Sequence, residues 1–314
     1  MEQTAPILRI EKISLQDGSG LRTVVFFKGC PLRCAWCSTP ESHSATPERA
    51  YQANKCTLCG RCVQACPSGA LSFSPDKGLS WDSGKCTQCL RCAAACPTGA
   101  TKVYGEYQTV AQVMRHIHRD EVFYFHSGGG VTLSGGDVLC YPDFAHALLT
   151  ECKESLINTA AELTMYGDYD RIRQVYPLLN TALIDLKCMD SALHQKWTGQ
   201  PNDGILQNIH RAAHEFPDVD IHIRVPLIWG VNDDPASIRQ TAEFSASLPH
   251  CTALEFLPYH RLGQQTYAYL DRPYPLADLP TMTLPEARDK VACLSGRDWP
   301  FPVLISKEPA FPAS

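Results

Sequence analysis

Eight residues constrain this chain more than any others. In Cys30-Pro31-Leu32-Arg33-Cys34-Ala35-Trp36-Cys37 three cysteines are spaced Cys-x3-Cys-x2-Cys, directly after the apolar run Thr23-Val24-Val25-Phe26-Phe27. A run of that length reads as a buried strand, so the cysteines sit on a loop leaving a strand. Three thiolates hold three irons of a [4Fe–4S] cube and leave the fourth iron open to a ligand. A cube that only carries electrons takes four cysteines, and a structural zinc closes its tetrahedron with a fourth Cys or His. A zinc loop here would need a distant fourth ligand, and His43 is the candidate.

A repeat follows. Lys55-Cys56-Thr57-Leu58-Cys59-Gly60-Arg61-Cys62-Val63-Gln64-Ala65-Cys66-Pro67-Ser68-Gly69-Ala70 recurs as Lys85–Ala100, with eleven of sixteen positions identical. Each copy is the C-x2-C-x2-C-x3-C-P run of bacterial two-cluster ferredoxins, in which the fourth cysteine serves the other cluster. Carried onto this chain, Cys56, Cys59, Cys62 and Cys96 hold one cube, and Cys86, Cys89, Cys92 and Cys66 hold the other. A zinc ribbon would not require a fourth cysteine followed by proline in both halves. Electron relay toward the first cluster is the natural role; a structural role, or one in docking an electron donor, stays open.

The chain has sixteen cysteines, eleven of them in these three groups. The opening Met1–Pro6 lacks a cationic start, and no segment approaches the roughly 20 apolar residues that span a bilayer. Such cysteine usage without an export signal indicates metal sites rather than disulfides, in a cytoplasmic protein of an oxygen-limited cell. Cys140, Cys152, Cys188, Cys251 and Cys293 are expected to be small buried apolar residues. Net charge is −5 with no basic run, which argues against nucleic acid or an anionic membrane as a partner.

Beyond the repeat the pattern alternates between helix and strand. Thr109–Arg119 places Val110, Val113, Met114 and Ile117 on one helical face, and Pro142–Cys152 is a second helix. Val131–Leu133, Leu156–Leu163, Ala182–Leu186, Ile221–Val225 and Ala253–Leu257 have strand length, and Asp234-Pro235 caps a further helix. Alternating units imply parallel strands with right-handed crossovers. About six units are present, fewer than the eight of a closed barrel. The fold expected is α/β: a partial (βα)6 barrel whose start (1–50) and remainder (105–314) flank an inserted two-cluster ferredoxin-like domain (51–104), with chemistry at the strands' carboxyl ends.

At the cysteine triplet the chain resembles the radical S-adenosylmethionine (SAM) superfamily. Gly18-Ser19-Gly20-Leu21-Arg22-Thr23, Gly130-Val131-Thr132-Leu133-Ser134-Gly135-Gly136, Ile184–Lys187, Arg224–Ile228 and Leu257–Gly263 extend the resemblance, in order, to the activating enzymes of glycyl radical enzymes. The resemblance implies three [4Fe–4S] clusters, the first on Cys30, Cys34 and Cys37 as catalytic centre, with SAM as cosubstrate. It also implies an oxidoreductase whose protein substrate is a glycyl radical enzyme and whose electrons come from reduced flavodoxin or ferredoxin. Trp36 and Ser38, which flank the cofactor-binding Cys37, would lie at the adenine end of SAM, and Gly135, Gly136 and Asp137 at its amino group. Asp185, Leu186 and Lys187 would contact SAM, Arg224 its carboxylate and His260 its ribose.

The chain departs from that family at three places. Asp137 and Val138 stand where the family carries Glu and Pro. Ala161-Glu162-Leu163-Thr164 replaces a Glu-Thr or Asp-Thr pair, with Glu162 as substitute carboxylate, and Trp229 stands at a proline position. His116, His118, His126, His194 and His222 lack a ligand pattern and read as ordinary surface or core residues. Three alternative functions are a radical SAM enzyme acting on a small molecule, a plain electron-transfer protein, and a zinc-stapled interaction module.

Overall fold

A computed structural model describes residues 3–74 and 78–311 of the chain. Its main sheet is built from β1 (Thr4–Ser14), β2 (Arg22–Phe27), β3 (Glu106–Thr109), β4 (Gly130–Gly135), β5 (Asn158–Leu163), β6 (Thr181–Asp185), β7 (Asp220–Leu227), β8 (Cys251–Pro258), β9 (Val303–Ile305) and β10 (Glu308–Pro309). The strand order is β10-β9-β8-β7-β6-β5-β4-β2-β1-β3. From β2 through β9 every neighbouring pair is parallel. No pairing joins the two ends among the described residues. β2, β4, β5, β6, β7 and β8 are the six strands of the expected partial barrel, and short β9 extends them.

Helices cover the outer face, and their limits follow from local chemistry. Val110–Ile117 starts at a capping box: the Thr109 hydroxyl accepts the Gln112 N–H at 3.2 Å and the Gln112 side chain accepts the Thr109 N–H at 2.7 Å. Its Val113, Met114 and Ile117 are buried against the sheet. Pro142–Glu154 buries Phe144, Leu148 and Cys152, and Asp234 caps Pro235–Ala246 through the N–H groups of Ala236 and Ser237. Every residue of β2 is buried, as expected for a strand covered on both faces.

Antiparallel β1 and β3 flank the parallel run and have no counterpart in the sequence reading. β1 breaks register between Ile7 and Arg9 and again between Glu11 and Ser14, with Ile13 at φ 58°. Two bulges erase the alternation by which a strand is recognised. The cysteines outside the three groups also divide: Cys152, Cys188 and Cys251 are buried, but Cys140 and Cys293 are only partly so.

The repeat occupies a separate excursion after β2. Its neck is an antiparallel pair, Glu48–Tyr51 with Thr101–Tyr104, and its middle a hairpin, Leu71–Ser74 with Gly78–Trp81. One-turn helices Arg61–Gln64 and Arg91–Ala94 occupy equivalent places in the two copies. Each follows a left-handed residue, Gly60 in one copy and Leu90 (φ 59°) in the other. The neck is tied to the barrel by Lys28 Nζ to Glu48 at 3.1 Å and Arg272 to Glu48 at 2.5 Å.

Candidate active site

The cysteine loop is held by backbone groups rather than by its own side chains. Gly199, in the left-handed region at φ 84°, ends the helix Ser191–Thr198 and leaves its last carbonyls without helical partners. Two of them are used: Thr198 O accepts the Arg33 N–H at 2.7 Å and Trp197 O accepts the Ala35 N–H at 2.9 Å. Gly29 N–H reaches Ser42 O at 2.7 Å, closing the base of the loop. Glycines allow the approach of the neighbouring chain. A Cβ at Gly135 would collide with the Phe27 backbone, one at Gly136 with the Gly29 carbonyl, and one at Gly263 with the Cys37 carbonyl.

Cys30, Cys34 and Cys37 line one open cavity at the carboxyl ends of the barrel strands. Trp36, Ser38, Gly135, Gly136, Asp185, Lys187, Arg224 and His260 line it too, as do Glu162 and Thr164. Burial pushes all three thiols up, Cys37 to about 12, so cationic metal centres are what would hold them as thiolates. His43, the fourth ligand of a zinc loop, does not line this cavity; its ring lies edge-on to Tyr267 at 6.4 Å. Among the described residues no three Cys, His, Asp or Glu side chains converge on a position for a single metal ion.

A chain of charge crosses the cavity floor. Arg224 pairs with Glu162, whose other oxygen accepts the Ser134 hydroxyl, and its Nε stands 3.7 Å from Glu255 without a hydrogen-bond partner. Burial alone would lower the pKa of Arg224, but Glu162, Asp185 and Glu255 outweigh it and raise the value. Lys187 Nζ contacts Asp185 at 2.6 Å, and there too the carboxylate overcomes the desolvation, so the ammonium is held charged. The Trp36 indole N–H is buried and unpartnered, a donor left available to a bound molecule.

Two expected cavity residues are elsewhere. The Asp137 carboxylate is buried behind the wall, where it accepts the Leu139 N–H at 2.8 Å and the Thr164 hydroxyl. The shorter side chain stops at the start of the turn Val138–Cys140 and caps it instead of projecting into the space. Leu186 points into the core and meets the site only through its N–H, 2.9 Å from Arg224 O. Asp17, Arg9 and Glu255 were missed by sequence reasoning. Asp17 and Arg9 line the cavity. Glu255 is 2% exposed inside β8, and a carboxylate within an apolar strand was the available signal. It also receives the Lys307 N–H at 2.7 Å and stands 3.3 Å from His222, which places that histidine in the barrel's polar floor. Trp229 is partly buried with Lys290 Nζ 5.0 Å above its ring.

The repeat supplies two smaller cavities. One, of about 390 Å³, is lined by Cys56, Cys59, Cys62 and Cys96; the other, of about 340 Å³, by Cys66, Cys86, Cys89 and Cys92. Four sulfur donors around each concavity, with the fourth crossing from the other copy, fit a cubane in each.

The chain superposes on a radical SAM methyltransferase from Sphaerobacter thermophilus with a TM-score of 0.52 at 14% identity, over 96% of this chain and 77% of that one. This defines the fold as the radical SAM type. Residues 55–100 match the 4Fe-4S dicluster domain family. The chain is 45% identical over 281 residues to the (2S)-3-sulfopropanediol sulfolyase activating enzyme of Bilophila wadsworthia, covering 88% of this chain and 91% of that one. It is 37% identical over 310 residues to the choline trimethylamine-lyase activating enzyme of Oleidesulfovibrio alaskensis, covering 97% and 99%. The chain belongs to the activating enzymes of glycyl radical enzymes, oxidoreductases of the radical SAM superfamily.

Proposed function

We propose that this enzyme installs a radical on a glycine of a separate glycyl radical enzyme, using three [4Fe–4S] clusters and SAM. One observation carries the reading: three cysteines on a single loop open into the same cavity as Asp185, Lys187 and Arg224. When bound on Cys30, Cys34 and Cys37, the cluster supplies an open iron that chelates SAM and the electron that cleaves it to methionine and a 5′-deoxyadenosyl radical. The chain's residues bind and orient. Trp36 and Ser38 flank the adenine end, His260 the ribose, and Arg224 the carboxylate. Gly135 and Gly136 let the backbone approach the amino group, and Lys187 and Asp185 contact SAM from the cavity wall. Asp137 acts from behind that wall through Thr164 and Leu139 N–H.

Residues 51–104 then form an electron-relay unit inserted in the barrel, fed by reduced flavodoxin or ferredoxin in the cytoplasm. The test is anaerobic reconstitution with dithionite as reductant. SAM should yield 5′-deoxyadenosine, Cys34→Ala should abolish it, and mixing with the partner should give a glycyl radical signal in electron paramagnetic resonance. Deoxyadenosine without any radical on a partner protein would point to a small-molecule substrate and overturn the reading.

A further inference from the structure

The charge of this chain is divided unevenly. Counted by side chains alone, residues 51–104 carry six Lys and Arg against two Asp and no Glu, +4, and the rest of the chain −9. A [4Fe–4S] cube on four thiolates adds about −2, so two of them would bring the loaded insert to about zero, still well above the rest of the chain. The two copies of the repeat place their cations identically: Lys55 and Arg61 beside Cys56–Cys62, Lys85 and Arg91 beside Cys86–Cys92. All four side chains are exposed. Among the described residues only Lys85 has a carboxylate partner, Asp82 at 3.3 Å. The one exposed ligand-type cysteine of each copy, Cys59 and Cys89, lies within the same loops, so each cysteine set reaches solvent where the cations stand.

We infer that the exposed cations of the insert mark the docking surface for an acidic one-electron carrier protein. The inference rests on the electron-relay reading of the insert. Charge complementarity is local: an acidic carrier is repelled by the net negative remainder of the chain, meets no such net repulsion from the loaded insert, and is drawn by the exposed cations in the loops of Cys59 and Cys89 before contact. Exposed charges spaced around a patch act mainly on encounter and are screened within a Debye length, about 10 Å at 0.1 M salt.

The experiment compares three reconstituted holoenzymes: wild type, a patch variant (Lys55→Glu, Arg61→Glu, Lys85→Glu, Arg91→Glu), and a control with four exposed barrel cations reversed (Arg115→Glu, Arg119→Glu, Lys153→Glu, Arg239→Glu). Binding of a reduced flavodoxin of strongly negative net charge is measured by titration calorimetry. Dithionite-driven deoxyadenosine formation is measured in parallel. The patch variant should bind flavodoxin at least about tenfold more weakly at 0.1 M salt, with the gap closing near 1 M, where the Debye length is about 3 Å. The control should stay within about threefold of wild type, and dithionite-driven turnover should be unchanged in all three. Equal weakening in patch variant and control, or no weakening in either, overturns the inference. Wild-type enzyme that is inert even with dithionite overturns the activase reading instead, which keeps the two failures apart.

Discussion

Asp137 is the residue whose replacement most directly tests the description of the cavity wall. It is 1% exposed, and burial raises its pKa from 3.8 to about 6 even though the Thr164 hydroxyl and Leu139 N–H favour the carboxylate. The folded-state value lies above the unfolded one, so protons favour the fold. The cost is absent below the unfolded value, grows as pH rises, and is complete above the folded one, where 1.36 kcal/mol per unit makes it about 3 kcal/mol. Asn at this position keeps an oxygen for the Leu139 N–H and can donate to the Thr164 hydroxyl, which is free to rotate. Asp137→Asn therefore removes the charge while retaining the contacts. Urea unfolding of wild type and variant holoenzymes should show the variant gaining on the wild type as pH rises. Between about pH 5 and about pH 8 the gap should widen by about 1.4 kcal/mol in the variant's favour. Acid lability of the clusters is common to both proteins and cancels in the difference. A gap that is constant with pH, or that widens against the variant, refutes the burial argument.

Gly136→Ala should displace Gly29 and with it the cysteine loop, so that deoxyadenosine formation falls to background while the insert's clusters still assemble, as read by iron content and absorbance. Arg22 is 1% exposed and donates to Thr132, Asn158 and the Val131 and Ser19 carbonyls beneath the cavity. Arg22→Met strands those acceptors and should lower unfolding free energy by about 3–5 kcal/mol. Arg49 is buried and lines the cavity of Cys66, Cys86, Cys89 and Cys92 but not that of Cys56, Cys59, Cys62 and Cys96, with Trp81 5.1 Å away. Arg49→Met removes a positive charge beside one cube, so potentiometry followed by paramagnetic resonance should show one midpoint lowered and the other unmoved.

What was legible in the sequence was whatever has a fixed spacing. The cysteine groups declare themselves because a cubane dictates the distance between thiolates, and the six parallel strands because each carries a short run or alternation of apolar residues bounded by turns. β1 escaped because its bulges break the period. Asp17 and Glu255 escaped for a different reason: they come from the loop after β1 and from β8, and only the fold brings them to Glu162 and Arg224, which the sequence did single out. Asp137 shows the limit of reading by position: the motif placed it at the cavity, but a side chain one methylene short of glutamate was captured by the turn it begins.

The distribution of charge separates two kinds of traffic. Along the cavity Asp17, Glu162 and Asp185 are matched by Arg9, Lys187 and Arg224, and Glu255 close behind tips the count to one carboxylate in excess. In a low-dielectric space such an excess attracts a sulfonium and repels acidic protein surface. On the proposed function the nucleotide and the glycine segment enter at this mouth beside the first cluster, and an acidic electron carrier is disfavoured there. On the docking inference the insert resolves that conflict by offering exposed cations elsewhere, beside the one exposed cysteine of each set. Electron entry on the insert and substrate entry at the barrel mouth then need not compete for one face. A carrier that competes with the partner enzyme for binding would contradict this division of surfaces.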